Sequence, residues 1–394
     1  MDFRFSPEEE AFRREVRFFV ETECPPELRH GEIVAAEQLN LLFDWRKKVA
    51  ERGWLAPAWP KEYGGAELSV MEQFIYNLET ARLGAPGSIF VGGMGVNIVG
   101  PTIIIYGTPE QKKKYISGIL SGEDIWCQGF SEPGAGSDLA SLSTRAVRDG
   151  DDYVINGQKI WISLAHKADY MLLLARTNAD VPKHKGISYL VVPLDSKGLT
   201  VRSLPNLAGS HEFNEVFLED VRVPVTNLLG EENRGWYMAV TTLDIERSGI
   251  GHVVAMQRTV NDLLDFVKEN RSTSVVQLDS NPGLRTELAE RYIETEVALT
   301  LSFRVVTMQA QKIQPNHEAS ANKLFFSEVS QRIADTGLRL IGPYGQLDRN
   351  AKWAPVKGRL SYRYLRAVSD TIAGGTTEIQ KNIIATRGLG LPKE

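Results

Sequence analysis

Long apolar runs are missing from this chain of 394 residues: the longest, such as Ile103 to Tyr106, fall far short of the ~20 residues that cross a bilayer, which argues against membrane insertion. Cysteine is nearly absent. Cys24 and Cys127 stand far apart with no Cys-x-x-Cys, so free thiols in a reducing compartment are expected. The six histidines are scattered and suggest no metal cluster. An excess of positive charge is lacking too. The formal net charge is -5, and no Lys/Arg stripe with interleaved aromatics stands out, so nucleic acid is not the main partner. A local basic site for a phosphorylated ligand stays open. The first residues, Met1 to Glu10, are acidic rather than basic and then apolar, unlike a secretory signal, and a cytoplasmic enzyme is expected.

What is present is the composition of an ordinary globular protein, 42% hydrophobic and 24% charged, in a chain long enough for two or three sub-domains. Ser6-Pro7-Glu8-Glu9 opens a first helix: Ser caps, Pro fits the first helical position and the acids suit the positive helix end. Further helical spacing runs over 39–52, 70–83 and 109–120. Near residue 122 the texture becomes short apolar or alternating runs, Tyr153-Val154-Ile155, Tyr170 to Leu174 and Ile187 to Val192. Asp149-Gly150 and Asn156-Gly157 read as tight turns between such strands. From Glu231 the helical period returns and persists to Arg387, interrupted at Asn281-Pro282-Gly283, Gln314-Pro315-Asn316 and Gly342-Pro343. The expected fold is α+β and mostly α: an N-terminal helical domain over 1–122, a middle β domain over 123–230 and a C-terminal helical bundle over 231–394. Gly92-Gly93-Met94-Gly95 lacks the third glycine of a dinucleotide fingerprint and reads as a packing or loop feature.

Two short stretches carry candidate chemistry. Gly129-Phe130-Ser131-Glu132-Pro133-Gly134-Ala135-Gly136-Ser137-Asp138 combines small residues, which let backbone amides approach a ligand, with polar side chains. Alone, it is also what any tight surface loop looks like. Asn156-Gly157-Gln158-Lys159-Ile160-Trp161-Ile162-Ser163 sets a Trp and a hydroxyl two residues apart, on one face of a strand. Such a pair can stack on a flat ring and hydrogen-bond its edge, or can be a core Trp with an incidental Ser.

Taken together, the segment from Gly129 to Thr177 resembles the middle segment of the acyl-CoA dehydrogenase family, whose pattern runs T/S-E-P-x-A-G-S-D and then N-G-x-K-x-W-I-T/S. Tyr106-Gly107-Thr108-Pro109-Glu110-Gln111-Lys112 and Ala373-Gly374-Gly375-Thr376-Thr377-Glu378-Ile379-Gln380 resemble two further signatures of that family, so the likeness covers essentially the whole chain. It implies FAD as cofactor, with Phe130, Ser131, Trp161, Ser163, Gly375, Thr376 and Glu378 at flavin-holding positions and Ser137 on the acyl-CoA. Thr376 also suits the N-cap of a helix whose free amides face the cofactor.

Many family members place the α-proton base just before the C-terminal Gly-Thr, where this chain has Gly374. Others, the isovaleryl-CoA and long-chain dehydrogenases among them, place it on a helix of the bundle. Thr242-Leu243-Asp244-Ile245-Glu246-Arg247 resembles that second arrangement, which implies Glu246 as the base and Asp244 and Arg247 beside the substrate. Gly374 keeps an N–H that can donate to the thioester oxygen. The implied reaction is α,β-dehydrogenation to the trans-2-enoyl-CoA.

The likeness weakens on the nucleotide side. Arg271 aligns with the Arg of the family's Arg-x-x-Phe-Gly, but Ser274 and Val275 replace the Phe and Gly, and Arg339-Leu340-Ile341-Gly342-Pro343 stands where Gln-x-x-Gly-Gly is usual. This leaves open a homotetramer or a heterotetramer with a related subunit, as in bacterial enzymes acting on steroid side-chain CoA esters. Electron-transfer flavoprotein is the implied acceptor. Two alternatives remain: a flavin oxidase or monooxygenase on the same fold, and a non-catalytic partner subunit.

Overall fold

Hydroxyl side chains set where three of the N-terminal helices begin. The structure, a computed structural model, describes residues 4–29, 38–87, 92–243, 248–270, 282–348 and 351–392. Its helices are, in chain order, α1 (Pro7–Glu23), α2 (Leu39–Glu51), α3 (Val70–Arg82), α4 (Gly100–Tyr106), α5 (Pro109–Ser121), α6 (Gly235–Leu243), α7 (Ile250–Asn270), α8 (Gly283–Ala310), α9 (His317–Ile341), α10 (Arg359–Ala367) and α11 (Thr377–Ile383). Ser6 accepts from the Glu9 amide while Glu9 accepts from the Ser6 amide at 2.8 Å, and Ser69 with Glu72 and Thr108 with Gln111 repeat this reciprocal cap. Each cap is worth about 1 kcal/mol.

The strands are β1 (Trp126–Gly129), β2 (Arg145–Asp149), β3 (Asp152–Ser163), β4 (Tyr170–Arg176), β5 (Ile187–Pro193), β6 (Leu199–Leu204), β7 (Phe213–Pro224) and β8 (Leu228–Leu229). They form a mixed sheet in the order β6-β7-β3-β2-β4-β5-β8, with β1 parallel to β4. This is the α+β, mostly helical architecture expected, without alternating β-α-β units.

The contacts gather the chain into two compact units. One comprises Leu39–Leu68 and Gly87–Glu246, the other Met1–Gln38, Ser69–Pro86 and Arg247–Glu394. In the sheet-bearing unit, Tyr153, Ile155, Met171, Leu173, Leu190, Val192, Val216 and Val223 make the inner face. Gln111 ties α5 to this module, donating to the carbonyls of Thr226 and Leu228 at 2.9 Å each. In the helical unit, Phe74, Leu78, Ile250, Val254 and Val306 form one cluster, and Val260, Leu263, Leu288, Val329 and Ile333 another. Glu79 of α3 is fully buried there and meets Arg13, Arg17 and Arg82. Burial pushes its carboxyl up, but Arg13 and Arg17 outweigh that and hold it below the usual range.

One turn expectation is overturned. Asp149-Gly150 does make the β2–β3 turn, but Asn156-Gly157 lies inside β3. Gly157 is needed there because a Cβ would come within 2.7 Å of the Thr144 Cα, so the glycine marks a close backbone approach at a bulge. Both cysteines are free and buried, and burial pushes the Cys127 thiol up to about 12. Among the described residues no helix is long and apolar enough to cross a membrane.

Candidate active site

The sheet-bearing unit brings the Gly129–Asp138 loop against β3. Pro133-Gly134 turns the loop back on itself, with the Glu132 and Ala135 amides each donating to the other's carbonyl at 3.1 and 3.0 Å. The Ser131 carbonyl accepts from the Ile160 amide at 2.9 Å, and Phe130 packs on Tyr189 with ring centroids 5.9 Å apart. Lys159, fully buried, donates to the Phe130 carbonyl at 2.9 Å and to Glu132 at 2.8 Å. Glu132 also accepts from the Ser143 amide at 2.7 Å and the Thr144 amide at 2.9 Å. Burial pushes the Glu132 carboxyl up, but Lys159 with these donors holds it at about 2. Burial also lowers Lys159, to about 8, against the pull of Glu132.

Trp161 and Ser163 flank the buried Ile162, as the period of two demands, but the strand there is not regular. Pairing with β7 slips between Lys159 and Ile162, and Trp161 sits at φ 63, in the left-handed region. Leu164 at φ 57 does the same on the far side of Ser163. A non-glycine residue held this way costs of order 1–3 kcal/mol and persists only where neighbours enforce it. Asn214 enforces it by donating Nδ2 to the Ile162 carbonyl at 3.0 Å. Its Oδ1 therefore faces His211, whose Nε2 donates to it at 2.9 Å. The bulge leaves the Trp161 indole 58% exposed, with Phe213 edge-on to it at 6.0 Å between ring centroids. Among the described residues nothing hydrogen-bonds the Ser163 hydroxyl or the Ser131 amide. An open indole with a free hydroxyl and a free amide suits a flat ring with polar edges. Ser137 is exposed on the same loop, and its neighbour Asp138 pairs with Lys183 at 2.7 Å. A cleft of about 920 Å³ lined in part by His166, His211 and Asn214 holds none of the motif side chains.

In the helical unit Gly374 and Gly375 turn at φ 64 and φ 91, and Thr376 takes the N-cap place expected of it, accepting from the Ile379 amide. Gln380 donates to the carbonyls of Gly374 and Gly375 at 3.2 and 3.3 Å, and Lys323 to that of Gly375 at 2.7 Å. Both carbonyls are thus turned inward, and the Gly374 amide has no acceptor among the described residues. Glu378 is exposed in the first turn of α11, its carboxyl lowered by its own amide and then by Thr376. Thr376, Thr377 and Glu378 border a cleft of about 450 Å³ with Gln331 and Arg332. Arg339 is engaged elsewhere, donating to Glu287 at 3.0 Å and to Asp335 at 3.0 Å. Asp244, Glu246, Arg247 and Arg271 lie outside the described residues. Just beyond Glu246, the Ser248 carbonyl is held by Ser302 and Asn322, both at 2.7 Å.

The positions that motif reading missed are the ones behind the motifs: Glu132, Lys159, Asn214 and Lys323. A lysine on the same strand parity as Tyr153 and Ile155 was the available signal for Lys159. Nothing local marked Asn214 or Lys323.

The family models of the acyl-CoA dehydrogenase N-terminal, middle and C-terminal domains match residues 6–123, 127–221 and 233–389. The chain is 35% identical over 402 aligned positions to acyl-CoA dehydrogenase FadE26 of Mycobacterium tuberculosis, covering 100% of this chain and 99% of that one. Among solved structures, the steroid ACAD Tcur3481-Tcur3483 is similar at 35% identity and a TM-score of 0.85, with 100% of both chains covered. The ChsE4-ChsE5 complex from Mycobacterium tuberculosis is similar at 35% identity and a TM-score of 0.83, again over 100% of both chains. Fold and likeness together define a flavoprotein oxidoreductase of lipid metabolism. The chain belongs to the acyl-CoA dehydrogenase family.

Proposed function

We propose that this chain catalyses FAD-dependent α,β-dehydrogenation of an acyl-CoA thioester, with Glu246 as the base. The observation that carries the cofactor side is the left-handed bulge that opens Trp161 beside the free Ser163 hydroxyl and Ser131 amide. Phe130, Ser131, Trp161 and Ser163 would hold the flavin ring, Gly375, Thr376 and Glu378 would complete its contacts, and Arg271 would serve the nucleotide. A bound flavin supplies the hydride acceptor for the β hydrogen. The chain supplies the rest. Glu246 takes the α proton, the Gly374 amide donates to the thioester oxygen and lowers the cost of that proton's removal, and Ser137, Asp244 and Arg247 orient the substrate.

The substrate class we favour is a CoA ester of a steroid side chain, and the assembly a heterotetramer with a related subunit. Supporting this are the solved relatives described as a steroid ACAD and as a two-component complex, and the pinning of Arg339 by Glu287 and Asp335 where a nucleotide-side Gln is usual. Electron-transfer flavoprotein is the acceptor in this reading. The test is anaerobic bleaching of the flavin by straight, branched, aromatic and steroid acyl-CoA thioesters, with and without a co-expressed related subunit. Bleaching by the steroid esters is expected. A flavin that no thioester bleaches would overturn the assignment.

A further inference from the structure

Lys159 is the one lysine on the inner face of the sheet-bearing unit's described residues that is fully buried. Its ammonium has two contacts, the Phe130 carbonyl and the Glu132 carboxylate, and both belong to the loop that the proposed function assigns to the flavin. A trans peptide is planar, with its C=O and N–H pointing opposite ways. Drawing the Phe130 carbonyl inward onto Lys159 therefore sends the Ser131 N–H of the same peptide outward, and that N–H has no internal acceptor among the described residues. The next peptide is fixed as well. Its carbonyl, that of Ser131, accepts from Ile160, and its amide, that of Glu132, donates to Ala135.

We propose that Lys159, held in place by Glu132, is a positioning residue that aims the Ser131 amide at the cofactor ring. The inference rests on the flavin reading of this loop. Lys159 does not touch the ring; it acts through one peptide plane. Without its ammonium the Phe130 carbonyl loses its buried donor, the peptide is free to rotate, and the outward N–H is no longer preorganised.

The test begins with a double substitution, Glu132→Leu with Lys159→Met, which removes both charges and leaves no ion stranded in the core. FAD release from the purified holoprotein and the visible spectrum of the bound flavin are measured beside thermal unfolding. A folded double variant whose FAD dissociation constant rises about tenfold, with a shifted flavin band, supports the proposal; such a loss is the size expected for one well-aimed hydrogen bond. Ser163→Ala reports on the flavin reading itself. If Ser163→Ala weakens FAD while the folded double variant does not, Lys159 is only a core residue and the proposal falls while the reading stands. If neither weakens FAD, the reading falls and takes the proposal with it. Should the double variant not fold, Glu132→Gln with Lys159→Met gives the second readout: it keeps an acceptor beside the Ser143 and Thr144 amides and takes the donor from the Phe130 carbonyl, and unchanged FAD release in that variant overturns the proposal.

Discussion

Asn214 donates its side-chain amide to the Ile162 carbonyl at 3.0 Å, and so a residue of β7 fixes the bulge that turns Trp161 outward from β3. Asn214→Ala removes this side-chain donor and leaves the Ile162 carbonyl with only its ladder pairing to β7. A loss of about 0.5–1.5 kcal/mol is expected, read as a lower urea midpoint at unchanged slope. The Trp161 indole should lose its fixed setting at the same time, so flavin binding should weaken beyond what the stability loss explains. Unchanged FAD affinity in a folded Asn214→Ala would show that the bulge does not depend on this bond.

Gly374 and Gly375 share a left-handed backbone but not the same surroundings. A Cβ on Gly374 meets nothing within 4 Å, whereas one on Gly375 lies 2.5 Å from the Gln380 amide nitrogen. Gly374→Ala should cost about 1 kcal/mol, the penalty of a side chain at positive φ. Gly375→Ala should cost more and should also displace Gln380 from the two carbonyls it holds. Thermal unfolding of the two variants checks the order, and equal losses would mean that the Gln380 contact is unimportant. The same φ at Gly374 makes this a strained place for a glutamate, which fits a base located elsewhere.

Acid should loosen both units through different carboxylates. Glu79 and Glu132 are held below the ordinary range, Glu132 at about 2. A depressed carboxyl stabilises the fold above its unfolded value and loses that contribution as pH falls through the folded one. For Glu132 the loss should run from about pH 4.5 down to about 2, on the order of 3 kcal/mol in all. Urea unfolding at pH 6, 4 and 3 measures the slope. Replacing Glu132 and Lys159 together by apolar residues should flatten its lower part, and an unchanged slope would contradict the assignment.

The elements whose signals are local were legible in the sequence. Ser6-Pro7 and Thr108-Pro109 start helices because cap and first turn lie within four residues of each other. Asp149-Gly150 turned, yet Asn156-Gly157 did not, although the two dipeptides carry the same chemistry. What separates them is Thr144, just before β2, whose backbone lies too close to Gly157 for any side chain. The Trp161 bulge was hidden for the same reason, since a slipped register is decided by β7, some 50 residues on. Lys323 stands as far from Gly375, and no pattern in either segment announces the bond between them. The motif positions were readable; the residues packed behind them, Asn214 and Lys323 among them, belong to the tertiary fold.

A single substitution at Glu246 separates a base at this position from a base elsewhere. Glu246→Gln keeps shape and hydrogen bonding but cannot take a proton. With the holoprotein and an acyl-CoA thioester under anaerobic conditions, the rate of flavin bleaching should fall by about 10²–10⁴-fold while FAD occupancy stays at the wild-type level. Bleaching at close to the wild-type rate would place the base elsewhere.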